Sequence, residues 1–219
     1  MTPGFGQQRA TFERWAEFPG LERLDPPADR VALTFDDGPD PDATPAVLDA
    51  LDANDVNATF FLVGEQVMEH RALAREVADR GHEIALHGFE HIRHTERSPR
   101  EVRDDVARAV GAIEVATGRR PRYFRPPYGD CSEVTVEAVV ELKLELVYWS
   151  GWGMDWEPIP AARIAELVTR DLEPGAIVVL HDSPRYGDRP SAAPTAEALP
   201  AIAAAASERG VRLTPLSET

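Results

Sequence analysis

From Val31 to Thr214, short apolar runs alternate with longer amphipathic segments. That rhythm is the pattern of parallel strands joined by crossover helices, and it predicts an α/β fold. Seven runs read as strands: Val31–Phe35, Ala58–Val63, Glu83–Leu86, Arg122–Arg125, Leu144–Trp149, Ala176–Leu180 and Val211–Thr214. The segments between them carry helix signals. Thr44 is expected to cap a helix that has Pro45 at its first position and ends near Ala53. Glu65–Arg80 reads as one helix stopped by Gly81. Ser98-Pro99-Arg100-Glu101 spells a capping box, predicting a helix to Thr117 with Gly118 as its stop. Further helices are expected over Val134–Leu142, Ala161–Asp171 and Thr195–Arg209.

Residues 1–30 lack this rhythm. An amphipathic piece, Phe12–Phe18, is followed by Pro19-Gly20 and Pro26-Pro27, which reads as a loosely packed lead-in to a single domain over 31–219. No internal repeat interrupts that domain.

Composition narrows the partners. The chain of 219 residues carries a formal charge of −15, which disfavours nucleic acid and anionic membrane, since both need a basic surface. Lys143 is the only lysine, an Arg-rich balance that fits a GC-rich genome or a salt-rich cytoplasm alike. The single cysteine, Cys131, permits no internal disulfide and reads as structural. Met1–Ala10 shows no basic start followed by an apolar core, and no run approaches a membrane span. A cytoplasmic location is therefore expected, or a secreted one if an export signal has been trimmed.

The candidate chemistry gathers at one end of the strands. In Thr34-Phe35-Asp36-Asp37-Gly38-Pro39, two adjacent carboxylates stand where a buried strand runs into a turn. Like charges in a partly dry site raise one another's pKa, and a bound cation relieves them; an acidic turn on an acidic protein is the plainer alternative. The third strand ends in His87 with His91 beyond it, the fourth in Arg125, the fifth before Asp155 and the sixth in His181. In barrels of parallel strands this is the end where reacting groups converge. His87 and His91 are four apart, a spacing that stacks two imidazoles on one helical face. With a carboxylate at the same mouth they form a facial set for a divalent transition metal. The zinc-protease pattern needs Glu directly after the first His, and Gly88 stands there instead. His70, His82 and His94 lack such company and read as surface or structural residues. Trp149, Trp152 and Trp156 read as core aromatics, although Trp156 beside Asp155 equally suits the wall of a sugar groove.

With these residues, the chain resembles the polysaccharide deacetylases, the family 4 carbohydrate esterases with a NodB-like domain. Five motifs stand in the family's order from Val31 to Asp182, and the likeness extends through the last helix and strand. The resemblance implies a distorted barrel of seven parallel strands and helices, one divalent metal ion (zinc first, with cobalt, manganese and nickel as alternatives) and an N-acetylated carbohydrate substrate. It makes Asp36 the catalytic base and Asp37, His87 and His91 the metal ligands. Arg125 of Arg125-Pro126-Pro127-Tyr128-Gly129 would hold the base, and the Tyr128 N–H would face the oxyanion. Asp155 would orient His181 as general acid, Trp156 would line the groove, and Leu180 would shape the pocket for the acetyl methyl. Two positions depart from the family: Gly88 replaces a Ser or Thr that steadies the metal loop, and Trp152 replaces an Asp. The expected reaction is hydrolysis of an N-acetyl group, or an O-acetyl ester, on an amino-sugar-containing carbohydrate. The alternatives are a catalytically silent sugar-binding protein on the same barrel and a metal-dependent hydrolase of a non-sugar amide.

Overall fold

The computed structural model describes Glu13, residues 15–25 and residues 29–217. Met1–Ala10, Phe12 and Arg14 of the amphipathic piece, and Pro26-Pro27 lie outside the described residues. The strands are β1 (Arg30–Asp36), β2 (Thr59–Leu62), β3 (Glu83–Leu86), β4 (Tyr123–Phe124), β5 (Glu145–Leu146), β6 (Gly151–Trp152), β7 (Ile177–His181) and β8 (Arg212–Thr214). Seven of them, in the order β5-β4-β3-β2-β1-β7-β6, form a curled half-barrel, and β8 is added beside the start of β1. Every strand pair is parallel.

The α/β barrel expected from the sequence is therefore present, with two changes in its strands. The run Leu144–Trp149 supplies only the two residues of β5, and Val211–Thr214 falls off the main path as β8. The seventh place is taken by Gly151–Trp152, which pairs with Val178 and Val179 of β7. Two residues, one of them glycine, carry no periodic signal that would reveal a strand.

The helices are α1 (Thr44–Asp52), α2 (Gly64–Glu69), α3 (Arg71–Asp79), α4 (Pro99–Thr117), α5 (Glu133–Glu141), α6 (Ala161–Arg170) and α7 (Ala193–Glu208). The capping box forms at the start of α4, where Glu101 N–H donates to Ser98 Oγ and Ser98 N–H to Glu101 Oε2. Gly118 ends that helix in the left-handed region at φ 70°. The single helix expected over Glu65–Arg80 is instead two, broken at His70 (φ −121°, ψ 47°). Thr44 is the first helical residue and not the cap, because its hydroxyl is engaged elsewhere: it donates to Asp182 Oδ2 at 2.6 Å and accepts from Asp40 N–H at 2.7 Å. No helix among the described residues is long and apolar enough to cross a membrane.

β1 is the axis of the sheet. Val31, Leu33 and Phe35 point into the larger apolar cluster shared with the helices, whereas Ala32 joins a smaller one with Phe61, Ala85, Tyr123, Val147 and Ile177. Strand alternation puts Thr34 and Asp36 on the same face as Ala32. In register, Asp36 stands opposite Phe61 of β2 and His181 of β7. Two of the chemistry-bearing residues are thus set side by side by backbone pairing alone.

The lead-in packs firmly. Leu21 N–H donates to the Leu146 carbonyl and its own carbonyl accepts from Tyr148 N–H, while Leu24 N–H donates to the Gly175 carbonyl. Residues 21–24 thereby bridge the end of β5 and the start of β7. Trp15 is buried, stacks on Tyr148 with ring centroids 4.2 Å apart, and donates its indole N–H to the Gly129 carbonyl at 2.9 Å. Trp15→Ala removes a buried aromatic and is expected to cost about 3 kcal/mol of stability, read by urea unfolding. A change below about 0.5 kcal/mol would mean that the lead-in merely lies on the barrel.

Candidate active site

Arg125 lies at the base of the mouth with none of its surface exposed. Its Nη1 donates to Asp36 Oδ1 at 2.6 Å and to Thr34 Oγ1 at 2.9 Å, and its Nη2 donates to the Tyr148 carbonyl at 2.9 Å. The guanidinium carbon sits 4.1 Å above the centre of the Phe61 ring. Burial pushes the Arg125 pKa down, and Asp36 works against that shift. The pair is a buried ion match in which Oδ1 of Asp36 is committed to the guanidinium.

Asp37 follows at φ 83°, in the left-handed region, which breaks the strand alternation and lets two consecutive carboxylates share one cleft. His87 Nε2 lies 3.6 Å from Asp37 Oδ1 and 3.8 Å from Asp36 Oδ2, and His91 Nε2 lies 3.2 Å from Asp37 Oδ1. One ligand atom from each of Asp37, His87 and His91 falls within 4.8 Å of the others. His87 Nδ1 meets the Arg125 carbonyl at 2.7 Å, and a carbonyl only accepts, so Nδ1 carries the proton and Nε2 offers its lone pair to the cleft. Burial above all drives the His87 pKa down to about 4, which keeps the ring neutral. Burial alone would raise the Asp37 carboxyl, but the imidazoles of His91, His181 and His87 outweigh it and hold it well below the usual carboxylate range. Asp37 Oδ1 is buried without a well-formed hydrogen bond. An anionic oxygen left in that state beside the free Nε2 lone pair of His87 is what a cation site looks like from the protein side.

Gly88 is explained by what stands next to it. The loop after β3 turns its Phe89 and Glu90 N–H groups onto the two carboxylate oxygens of Asp105 in α4, at 2.9 and 2.8 Å. A Cβ on Gly88 would lie 3.0 Å from Asp105 Oδ2, and φ there is +83°. An acid reaching in from the neighbouring helix thus steadies the histidine loop where a hydroxyl would otherwise do so. Nothing in a mid-helix Asp among other acids announces this in the sequence.

His181 closes the far side. Its Nδ1 lies 2.8 Å from Asp155 Oδ1, and its backbone N–H donates to Asp155 Oδ2 at 2.8 Å. Burial opposes charge on His181, yet Asp155, then Asp37 and Asp36, raise its pKa to about 9. The edge of Trp156 meets the His181 ring with centroids 5.6 Å apart. Tyr128 sits at φ 60°, with its ring edge-on to His91 at 4.4 Å and the Arg93 guanidinium over its face. Tyr186, which no pattern in the sequence singled out, stacks flat on His91 at 4.0 Å.

Leu180 is placed differently from expectation. Its neighbours along β7 alternate, so Leu180 joins Phe35 and Val178 in the helix-side cluster, and Val179 takes the face that bears His181. Val179, and not Leu180, is therefore the apolar residue of β7 on the face of His181. Trp152 lies on β6, its N–H donating to Asp171 Oδ2 at 3.2 Å. His82, His94 and Cys131 are fully or almost fully buried away from this set; His82 accepts from Ala58 N–H, and His94 meets the Thr135 hydroxyl.

A family model described as polysaccharide deacetylase matches residues 23–147. The chain belongs to the polysaccharide deacetylase family. A chitooligosaccharide deacetylase of Bradyrhizobium sp. is 37% identical over 195 residues, covering 86% of this chain and 89% of the relative. The peptidoglycan-N-acetylglucosamine deacetylase PgdA of Listeria monocytogenes is 36% identical over 153 residues, covering 70% of this chain. Those residues are only 32% of the length of PgdA. Among solved structures, the Bc1960 peptidoglycan N-acetylglucosamine deacetylase superimposes with a TM-score of 0.84 at 29% identity, covering 93% of this chain and 94% of that one. Asp155, Trp156 and His181 lie beyond the span of the polysaccharide deacetylase model, and the pairing of β7 with β1 sets His181 beside Asp36. Asp105→Ala strips the Phe89 and Glu90 N–H groups of their acceptor and is expected to destabilise this deacetylase-family barrel by about 1 to 2 kcal/mol in urea unfolding. An unchanged midpoint would mean that water takes the carboxylate's place.

Proposed function

We propose that this chain is a metal-dependent deacetylase that hydrolyses N-acetyl groups on an amino-sugar-containing carbohydrate, with O-acetyl esters within reach of the same site. The observation that carries this reading is the facing of two sets across one mouth: a buried carboxylate oxygen without a well-formed hydrogen bond between two imidazoles, and an imidazole held by a buried carboxylate. The substrate class is supported by relatives named for chitooligosaccharide and for peptidoglycan N-acetylglucosamine.

Asp37, His87 and His91 would hold one divalent ion; the nitrogen-rich donor set favours zinc, and cobalt, manganese and nickel accept the same ligands. Once bound, such an ion supplies Lewis-acid activation of the acetyl carbonyl and of water. Asp36 takes the proton of the attacking water; Arg125 fixes its Oδ1, which leaves Oδ2 turned toward the His87 side. The backbone N–H of Tyr128 faces the negative charge that develops on the carbonyl oxygen, a fixed dipole that needs no reorganisation during reaction. His181 delivers a proton from Nε2 to the leaving amine, with Asp155 holding Nδ1. Trp156 lines the sugar groove and Val179 the acetyl methyl. A silent sugar binder would have no use for a buried Arg clamping Asp36 or a buried Asp holding His181.

The test is acetate release from N-acetylglucosamine oligomers by metal-loaded protein, beside Asp36→Asn and a chelated control. Release is expected to vanish with chelator and to fall on the order of a hundredfold or more in Asp36→Asn. Silence toward these oligomers, acetylated xylan and small amides, with metal shown to be bound, would overturn the proposal. The pH profile gives an independent check. The pKa of His181 is raised from 6.5 to about 9, so its acid form is complete below the lower value and lost as pH rises through the upper one. A bound cation offsets Asp37 and Asp36, two of the groups that raise it, so the alkaline limb of kcat is expected below pH 9. A limb that stays in place in His181→Gln would assign it to another group.

A further inference from the structure

Asp155 spends only one of its oxygens on the His181 ring. The other, Oδ2, accepts from the His181 backbone N–H, from Thr195 Oγ1 at 2.7 Å and, more distantly, from Arg189 Nη1 at 3.4 Å. Asp155 has no exposed surface and the Arg189 side chain almost none, so a cation and an anion are packed together away from solvent. Arg189 comes from the loop after β7. Its Nη1 also donates to Thr195 Oγ1 at 2.5 Å, and its Nη2 donates to the carbonyls of His181 and Ser183 at 2.9 and 3.1 Å.

The directions of these bonds matter. A guanidinium only donates, so Thr195 must accept from Arg189 and turn its single hydroxyl hydrogen onto Asp155. A relay results, running from Arg189 through Thr195 to Asp155 and on to His181. It ties together three pieces of chain that are far apart in sequence: the loop after β6, the end of β7 and the first turn of α7. Arg189 and Thr195 meet Asp155 only at Oδ2, Arg189 also donates to the carbonyls of His181 and Ser183, and no hydrogen bond from either residue reaches the ring of His181.

We propose that Arg189 and Thr195 are positioning residues for proton donation: by occupying Asp155 Oδ2 they leave Oδ1 alone to bind His181 Nδ1, which fixes the ring with Nε2 toward the leaving group. This rests on the reading of His181 as the proton donor. A set carboxylate that orients an imidazole is a recurrent device, and here the carboxylate is itself held by a second pair. The charged groups around His181 are Asp155, Asp37 and Asp36, with Arg189 acting through Asp155.

Leaving-group dependence separates this role from a merely structural one. An amine leaves only with a proton, whereas 4-nitrophenolate leaves without help. Arg189→Met and Thr195→Val are therefore expected to lower kcat on N-acetylglucosamine oligomers roughly tenfold or more, with KM unchanged and 4-nitrophenyl acetate turnover altered less than about twofold. Thr195→Ser keeps the hydroxyl and is expected to restore the amide rate. His181→Ala is run alongside. If His181→Ala slows both substrates equally, the reading of His181 as donor fails. If it slows only the amide while the Arg189 and Thr195 variants slow both substrates equally, or neither, the positioning role is overturned. Should Arg189→Met fail to fold by circular dichroism, Thr195→Val and Thr195→Ser carry the same comparison.

Discussion

The barrel mouth depends on one buried ion pair. Arg125 is wholly enclosed, and the oxygens of Asp36 and Thr34 on β1 meet it together with the carbonyl of Tyr148 beyond β5. A guanidinium in that position without Asp36 would be an uncompensated buried charge, which costs several kcal/mol. The pair therefore locks the fourth strand's outlet against the first. Because the Arg125 carbonyl in turn fixes the His87 ring, one residue sets the orientation of both the acidic and the imidazole side of the cleft.

Polar side chains on the far wall repeat the logic with the signs exchanged. Asp155 is the enclosed charge there, and His181, Thr195 and Arg189 surround it with donors. Parallel register between β1 and β7 brings the two walls together, since Asp36 and His181 are direct neighbours in the sheet. Neither wall needs a domain motion to meet the other. Their separation is set by strand spacing, the least deformable distance in the fold.

Much of this was legible before any coordinates. The apolar run before Asp36-Asp37 and the capping box at Ser98 each have a local physical cause, and each appears where that cause puts it; His87 and His91 also meet, but across a non-helical loop after β3 and not on the helical turn their spacing suggests. Most of what escaped notice has no local cause. Leu180 is the exception: alternation along Ile177-Val178-Val179-Leu180-His181 by itself puts Val179, two residues back, on the face of His181. Asp105 looks like any acid on a surface helix, and Arg189 like any base in a loop. Asp105 meets loop amides 15 and 16 residues back and Arg189 meets Asp155 34 residues back, and only the folded chain brings them together. The break between α2 and α3 falls at His70, with neither glycine nor proline to mark it.

The contact between Trp15 and Gly129 bears on how the unit is to be delimited. The match to the family model begins at residue 23, yet an indole eight positions earlier holds the carbonyl of the loop that carries Tyr128, and stacks on the tyrosine whose carbonyl receives Arg125. A boundary drawn where the likeness starts would leave the strands whole and take away a buttress of the site. In this protein the span matched by the family model and the region that works as one mechanical piece have different edges.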